Sequence, residues 1–161
     1  ANDFRRIGLV RDPYNFGTTT VASADTRRQL YATVFSSVSG TFTADEEINQ
    51  ASTGAVGKVV EYDSTNKILY FYQTRFPDVG TDSDGNLTAF SGANAITGQS
   101  SSASATPNTS NSTTTNGTVF VSGYSNPELA FDSGDIIYVE ERSPITRASD
   151  QTENVKLIIE F

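Results

Sequence analysis

The chain of 161 residues carries 11 basic and 19 acidic side chains, a formal net charge of −8, and no His, Cys, Met or Trp. Without Cys no disulfide supports it, and without His, Cys or Met it lacks most ligands for zinc, copper or haem and the commonest general base, so no cofactor, metal site or catalysis is expected. A net acidic chain with no basic stripe argues against nucleic-acid binding; no apolar run approaches the roughly 20 residues needed to cross a bilayer, so a soluble protein without membrane insertion is expected.

The length allows one good core or two small ones. The first residue is Ala rather than Met, which reads as a trimmed chain, a portion of something longer. Residues 1–41 hold five Arg against three acids, whereas 42–118 and 119–161 each hold three bases against eight acids. Opposite signs at the two ends fit two ends of one folded domain.

In chain order, Phe4 to Val10 predicts a short strand with mixed faces, followed by a turn at Asp12-Pro13 that ends at Gly17. Thr26 to Val38 is read as strand from about Arg28, with Leu30, Ala32 and Val34 facing one way and Tyr31, Thr33 and Phe35 the other. The clearest hairpin runs from Gly57 to Tyr62, turns at Asp63 to Lys67 and returns from Ile68 to Phe76. A faint repeat flanks it: Phe42, Ile48 and Gln50 are echoed by Phe90, Ile96 and Gly98, which predicts two similar corners of one small barrel. Thr97 to Thr118 is almost all Ser, Thr, Asn and Gly and reads as a flexible or surface-hugging loop. Its Asn108, Asn111 and Asn116 fit a glycosylation pattern that such composition generates freely.

The last third carries three apolar runs. Ile136 to Glu140 is β-branched and aromatic, opened by Ser133-Gly134 and closed by Arg142-Ser143-Pro144. Val155 to Phe161 alternates strongly, placing Val155, Leu157, Ile159 and Phe161 on one strand face. The long connection between these strands holds Arg142, Arg147, Asp150 and Glu153, two bases and two acids able to brace it through charge-assisted hydrogen bonds.

The ordered string Ser133 to Tyr138, Glu141-Arg142, Pro144-Ile145 and Asp150 to Glu153, closing on Phe161, resembles the C-terminus of the baseplate wedge subunit encoded by gene eight of T-even-like contractile-tailed phages. Phe4 to Ile7 and the Asp12-Pro13 turn are similar to the region preceding that ending. The family protein is longer at its N-terminus and joins the two regions by a shorter connection than Ser36 to Pro127. The resemblance therefore implies an all-β protein whose two ends, 1–41 and 119–161, form a β-sandwich-like domain around an inserted barrel-like module at 42–118, with a polar loop at 97–118. It implies a non-catalytic role in the virion's tail baseplate, assembled in the host cytoplasm. The implied partners are other wedge proteins and a second copy, as a homodimer or higher homo-oligomer. Arg142, Arg147, Asp150, Glu153, Leu157, Ile159 and Phe161 are the candidate structural or interface residues.

Other chemistries fit less well. Aligning Gly85 with the glycine of a calcium loop puts Gly80 at the first ligand position and Ser91 where a bidentate Glu belongs, so Asp82, Asp84 and Asn86 read as an ordinary acidic turn. Asp45-Glu46-Glu47 and Glu140-Glu141 are adjacent acids that point to opposite faces of a strand and read as solvated charge rather than a glycosidase pair. A hydrolase without His would need a Ser-Lys arrangement, and nothing nominates partners for Lys58, Lys67 or Lys156. Tyr62, Tyr70, Phe71, Tyr72 and Phe76 crowd one hairpin; core and subunit packing is the preferred reading, and an exposed aromatic face would make the chain a virion-displayed receptor- or glycan-binding module.

Overall fold

The computed structural model describes residues 6–23, 28–73 and 80–141, and strands are the regular elements among them. In chain order they are β1 (Arg6–Arg11), β2 (Tyr31–Ser39), β3 (Glu47–Gln50), β4 (Ala55–Asp63), β5 (Ile68–Tyr72), β6 (Ile96–Gly98), β7 (Ser104–Pro107), β8 (Thr114–Thr115), β9 (Thr118–Val119), β10 (Tyr124–Ser125) and β11 (Asp135–Glu141). The fold is all-β, and the strand pairings among the described residues are antiparallel. Contacts divide the chain into two compact units, residues 13–133 and residues 1–12 with 134–161.

In the larger unit the sheet runs β2-β5-β4-β3-β6-β7 and closes where β7 returns to β2. Closure is possible because β2 is long. Tyr31 to Val34 pairs with β5, and Phe35 to Ser39 pairs with β7, across a register shift between Phe35 and Ser37. The strand short of β7 on that same side of β2 is β10, which meets Ala32 and Thr33. Alternation then sorts side chains as a small barrel requires. Phe35, Ile48, Ala55, Val59, Leu69, Phe71, Ile96 and Ala105 point into one buried cluster with Phe42 and Phe90, while Ala32, Val34, Ile68 and Phe120 form a second cluster.

The hairpin of β4 and β5 lies where the sequence predicts it, with a bulge between Val59 and Glu61. Its turn is fixed by Asp63, whose carboxylate accepts from the backbone of Thr65 (2.9 Å) and Asn66 (3.0 Å) and from both the Asn66 and Asn116 side-chain amides. The echo of Phe42-Ile48 in Phe90-Ile96 is also structural: all four side chains are buried in the same cluster, and β3 pairs with β6 through Ile48 and Gly98. The alternation assigned to β2 holds, since Phe35 belongs to the first cluster and Ala32 and Val34 to the second.

The polar stretch 97–118 is not a flexible loop. It supplies the last residues of β6, all of β7 and the β8–β9 hairpin, and it buries Ala103, Ala105, Pro107 and Thr118. Small side chains achieve this because the space inside the barrel is already filled by phenylalanines. The contact boundaries fall at 12/13 and 133/134, and β2 and β10 are hydrogen-bonded into the barrel sheet. The two ends do meet, as the β1–β11 ladder.

Phe71 is 2% exposed, stacked on Tyr31 at 5.8 Å and edge-on to Phe90 at 4.8 Å. Phe71→Ala is expected to cost about 3–5 kcal/mol of stability in urea unfolding, whereas Val60→Ala, at an exposed position in the β4 bulge, is expected to stay within about 0.5 kcal/mol of the parent.

Candidate interaction surface

The smaller unit presents the surface. In the β1–β11 ladder Ile7 faces Glu140, Gly8 faces Val139, Leu9 faces Tyr138, Val10 faces Ile136 and Arg11 faces Asp135, with Ile137 as the extra residue of a bulge. Opposed residues share a face. One face therefore carries Ile7, Leu9, Tyr138 and Glu140 with Arg11 and Asp135, and the other carries Gly8, Val10, Ile136 and Val139. The first is amphipathic: Tyr138 donates to Glu140 (3.2 Å), and Arg11 bridges to Asp135 (3.2 Å) and to Asp12 (3.5 Å). The second is aliphatic and bare, with Ile136 70% and Val139 64% exposed. Exposed aliphatic residues concentrated on one ribbon are the signature of a contact surface rather than of scattered surface apolarity.

The barrel unit spends its polar side chains internally. Glu46 is buried, correcting the reading of its triplet as solvated charge: one carboxylate oxygen accepts from the backbone of Thr43 (2.7 Å) and the Ser101 hydroxyl (2.8 Å), the other from the backbone of Ser100 (3.1 Å) and Ser101 (2.9 Å). Burial alone pushes this carboxyl up, but the hydrogen bonds outweigh it and hold it below its ordinary value. The β6 backbone comes so close that a Cβ on Gly98 would lie 2.6 Å from the carboxylate. Gln50, fully buried, plays the same part at the other end of β3, donating to Asn94 O (2.9 Å) and accepting from the backbone of Ser91 (2.8 Å) and the Thr53 hydroxyl (3.0 Å). Both brace loops to the barrel, and both followed from residue type only once their burial was known.

One concavity among the described residues is a groove of about 500 Å³ lined by Arg28, Val119, Val121, Tyr124, Ser125, Asn126 and Glu128. Its polar groups are engaged within the protein. Arg28 donates to Leu30 O, Ser125 Oγ (2.8 Å) and Asn126 O (3.0 Å), its backbone N–H donates to Glu128 (2.9 Å), and burial lowers its pKa. The Asp82 turn is closed on itself, with the Asp82 carboxylate accepting from the backbone of Asp84 (2.9 Å) and Asn86 (2.8 Å), which is the acidic turn read from the sequence. The aromatic hairpin packs inward: Tyr62 meets Phe42 edge-on at 5.5 Å, and the Tyr70 hydroxyl meets Thr118 at 3.1 Å. The candidate residues Arg142, Arg147, Asp150, Glu153, Leu157, Ile159 and Phe161 lie outside the described residues.

By fold and surface this is an all-β protein that pairs a closed barrel with an exposed apolar ribbon. Residues 83–161 match the family Phage-Gp8, described as Bacteriophage T4, Gp8, a component of the phage tail baseplate wedge. The resemblance to the C-terminal portion of that subunit holds over this stretch, just under half of the chain. No curated protein and no solved structure matches the chain significantly. The match begins within the segment expected to be an insertion, and so takes in β6 to β10 as well as β11.

The Glu46 brace makes stability depend on acid. Its folded pKa lies below the ordinary 4.5, so its contribution is complete above about pH 4.5 and is lost as pH falls through the lower folded value. Glu46→Gln is expected to cost about 1–3 kcal/mol at neutral pH. Unfolding curves taken between about pH 7 and about pH 3 should then show the gap to the parent narrowing on the acid side.

Proposed function

We propose that the chain is a non-catalytic structural component of a phage tail baseplate wedge that holds neighbouring subunits in register through its β1–β11 ribbon. The observation that carries this reading is the bare aliphatic face of Val10, Ile136 and Val139 in a chain whose C-terminal half matches a baseplate family. Its partners are other wedge proteins and a second copy of the chain, and it is assembled in the host cytoplasm into the virion's tail. A standard contact buries about 800 Å² per partner. Glu46 and Asp82 support the absence of catalysis, since their carboxylates are committed to fixed backbone donors. The receptor- or glycan-binding alternative drew on an exposed aromatic hairpin, and Tyr62, Tyr70 and Phe71 are packed into the barrel.

The test uses Ile136→Asp/Val139→Asp and, as a control, Asp82→Ala. Placing charge on the aliphatic face is expected to weaken capture of wedge proteins by about 30-fold or more, the effect of losing an interface anchor worth about 2 kcal/mol, with barrel stability unchanged. The control should bind as the parent does. Undiminished capture by the double variant sinks the assignment to this face.

A further inference from the structure

We propose that Asn116 is a site of spontaneous deamidation, in which its side chain reacts with the backbone of Gly117, and that the Asp63 carboxylate holds the reaction back. This goes beyond the baseplate reading and stands independently of it. Asn116-Gly117 is the one Asn-Gly pair in the chain. Glycine after asparagine offers the least hindered backbone nitrogen, because no side chain screens it. Thr114 pairs with Val119 and Thr115 with Thr118, which leaves Asn116 and Gly117 as the two-residue turn of the β8–β9 hairpin, at φ 47° and 75°. Both residues are exposed, and a Cβ on Gly117 would meet no described atom within 4 Å.

The chemistry needs water and hydroxide alone. Once hydroxide has taken the Gly117 amide proton, the nitrogen attacks Asn116 Cγ. The new C–N bond closes a five-membered succinimide, the Cγ–Nδ2 bond breaks, and the leaving nitrogen takes up a proton from water and departs as ammonia. Water then opens the ring at either carbonyl, leaving aspartate or isoaspartate, with no change of oxidation state.

Two features of the fold restrain the reaction. The Asn116 amide donates to Asp63 Oδ2 (3.2 Å), on a carboxylate that also accepts from the Asn66 amide and from the backbone of Thr65 and Asn66. These bonds, the Asn66 side chain's first, hold the Asp63 carboxyl below its ordinary value, so it is anionic at neutral pH. A fixed anion at the reacting amide opposes the negative charge that builds there during attack, and its bond to Nδ2 has to break before the side chain turns toward Gly117. The turn is the second restraint. A succinimide fixes the Asn116 ψ at a value that a type I′ turn does not use, so ring closure follows opening of the hairpin. With two residue pairs, that hairpin opens readily.

The product differs in charge and in length. A carboxylate at position 116 would face Asp63, and isoaspartate would add a backbone carbon two residues before Thr118. Thr118 is buried with its hydroxyl 3.1 Å from that of Tyr70, and Phe120, 1% exposed, donates its N–H to Thr113 O. Deamidation thus loosens the β8–β9 hairpin from the barrel irreversibly and without a partner.

Peptide mapping of the full chain, incubated at neutral and at mildly alkaline pH, tests this by resolving the asparagine, aspartate and isoaspartate forms. Asn116 should convert ahead of Asn108 and Asn111, at a rate that rises with hydroxide concentration. Asp63→Asn keeps an acceptor for the Thr65 and Asn66 backbone but presents an amide in place of Oδ2, and should speed conversion by about fivefold, the factor one hydrogen bond supplies. Asn116→Asp, standing for the product, should lower hydrogen-exchange protection of Thr118 and Phe120 by about fivefold or more, with Ile48 and Leu69 unchanged. Earlier conversion of another asparagine, no gain in rate in Asp63→Asn, or unchanged protection in Asn116→Asp would overturn the inference. Should Asp63→Asn fail to fold, the parent carries the test of restraint: in urea it should convert faster than when folded, and equal rates would sink the idea. Capture of wedge proteins enters none of these readouts, so its loss would count against the baseplate reading alone.

Discussion

Closure of the sheet on β2 is the constraint from which the rest of the larger unit follows. A strand of nine residues reaches two partners only if its register breaks, and the shift between Phe35 and Ser37 lets β7 take over one edge where β10 leaves off. Once the sheet is closed, its six strands have no long open edge to defend, and the interior must be filled to crystal-like density. The filling alternates bulk and absence. Phe35, Phe42, Phe71 and Phe90 occupy the space that Ala55, Gly57, Ala103 and Ala105 leave. Gly57 shows how tight this is: a Cβ there would lie 3.0 Å from the Phe71 ring and 3.1 Å from Tyr72 O. The barrel thus depends as much on its small residues as on its aromatics.

That dependence explains which parts of the fold the sequence announces. The β4–β5 hairpin and the echo of Phe42-Ile48 in Phe90-Ile96 are legible because large apolar residues mark them with the right period. β7, reading Ser-Ala-Thr-Pro, has no such mark, since its buried positions are Ala105 and Pro107 and what makes it a strand is the space beside Phe35. Composition reads such a stretch as loop; tertiary context makes it the strand that closes the barrel. The same holds for Glu46. Nothing in Asp45-Glu46-Glu47 separates the middle acid from its neighbours, and only the arrival of Ser100 and Ser101 from a loop distant in sequence turns it into a buried brace. The contact surface was half visible: Ile136 to Glu140 announced a strand, and the bareness of its aliphatic face required the pairing with β1 to be known.

The two units handle apolar surface in opposite ways. In the barrel, polar side chains are turned inward to hold loops, and the buried side-chain polar atoms among the described residues all have partners. Glu46 and Gln50 accept from the backbone N–H groups of Thr43, Ser91, Ser100 and Ser101 and from the hydroxyls of Ser101 and Thr53, so breaking either brace leaves a buried polar group unpaired. In the β1–β11 ribbon, Val10, Ile136 and Val139 are exposed. Among the described residues, the packed core and the exposed aliphatic face are therefore carried by different stretches of chain.

The family match sharpens this. Residues 83–161 include β6, β7, β10 and β11, yet β6 pairs with β3, β7 and β10 pair with β2, and β11 pairs with β1. Among the described strands of the matched stretch, the β6–β7 and β8–β9 pairings are the ones internal to it. A polypeptide of this stretch by itself would leave the outward edges of β6, β7, β10 and β11 with unpaired backbone groups and would expose the core they cover, a cost of several kcal/mol at the least by the usual price of unmade hydrogen bonds. The similarity accordingly does not mark an independent domain. It marks the half of the chain that completes two separate sheets begun by residues 1–82, so a change in the matched half that preserves its strands still has to be read against the partner strands that lie outside it.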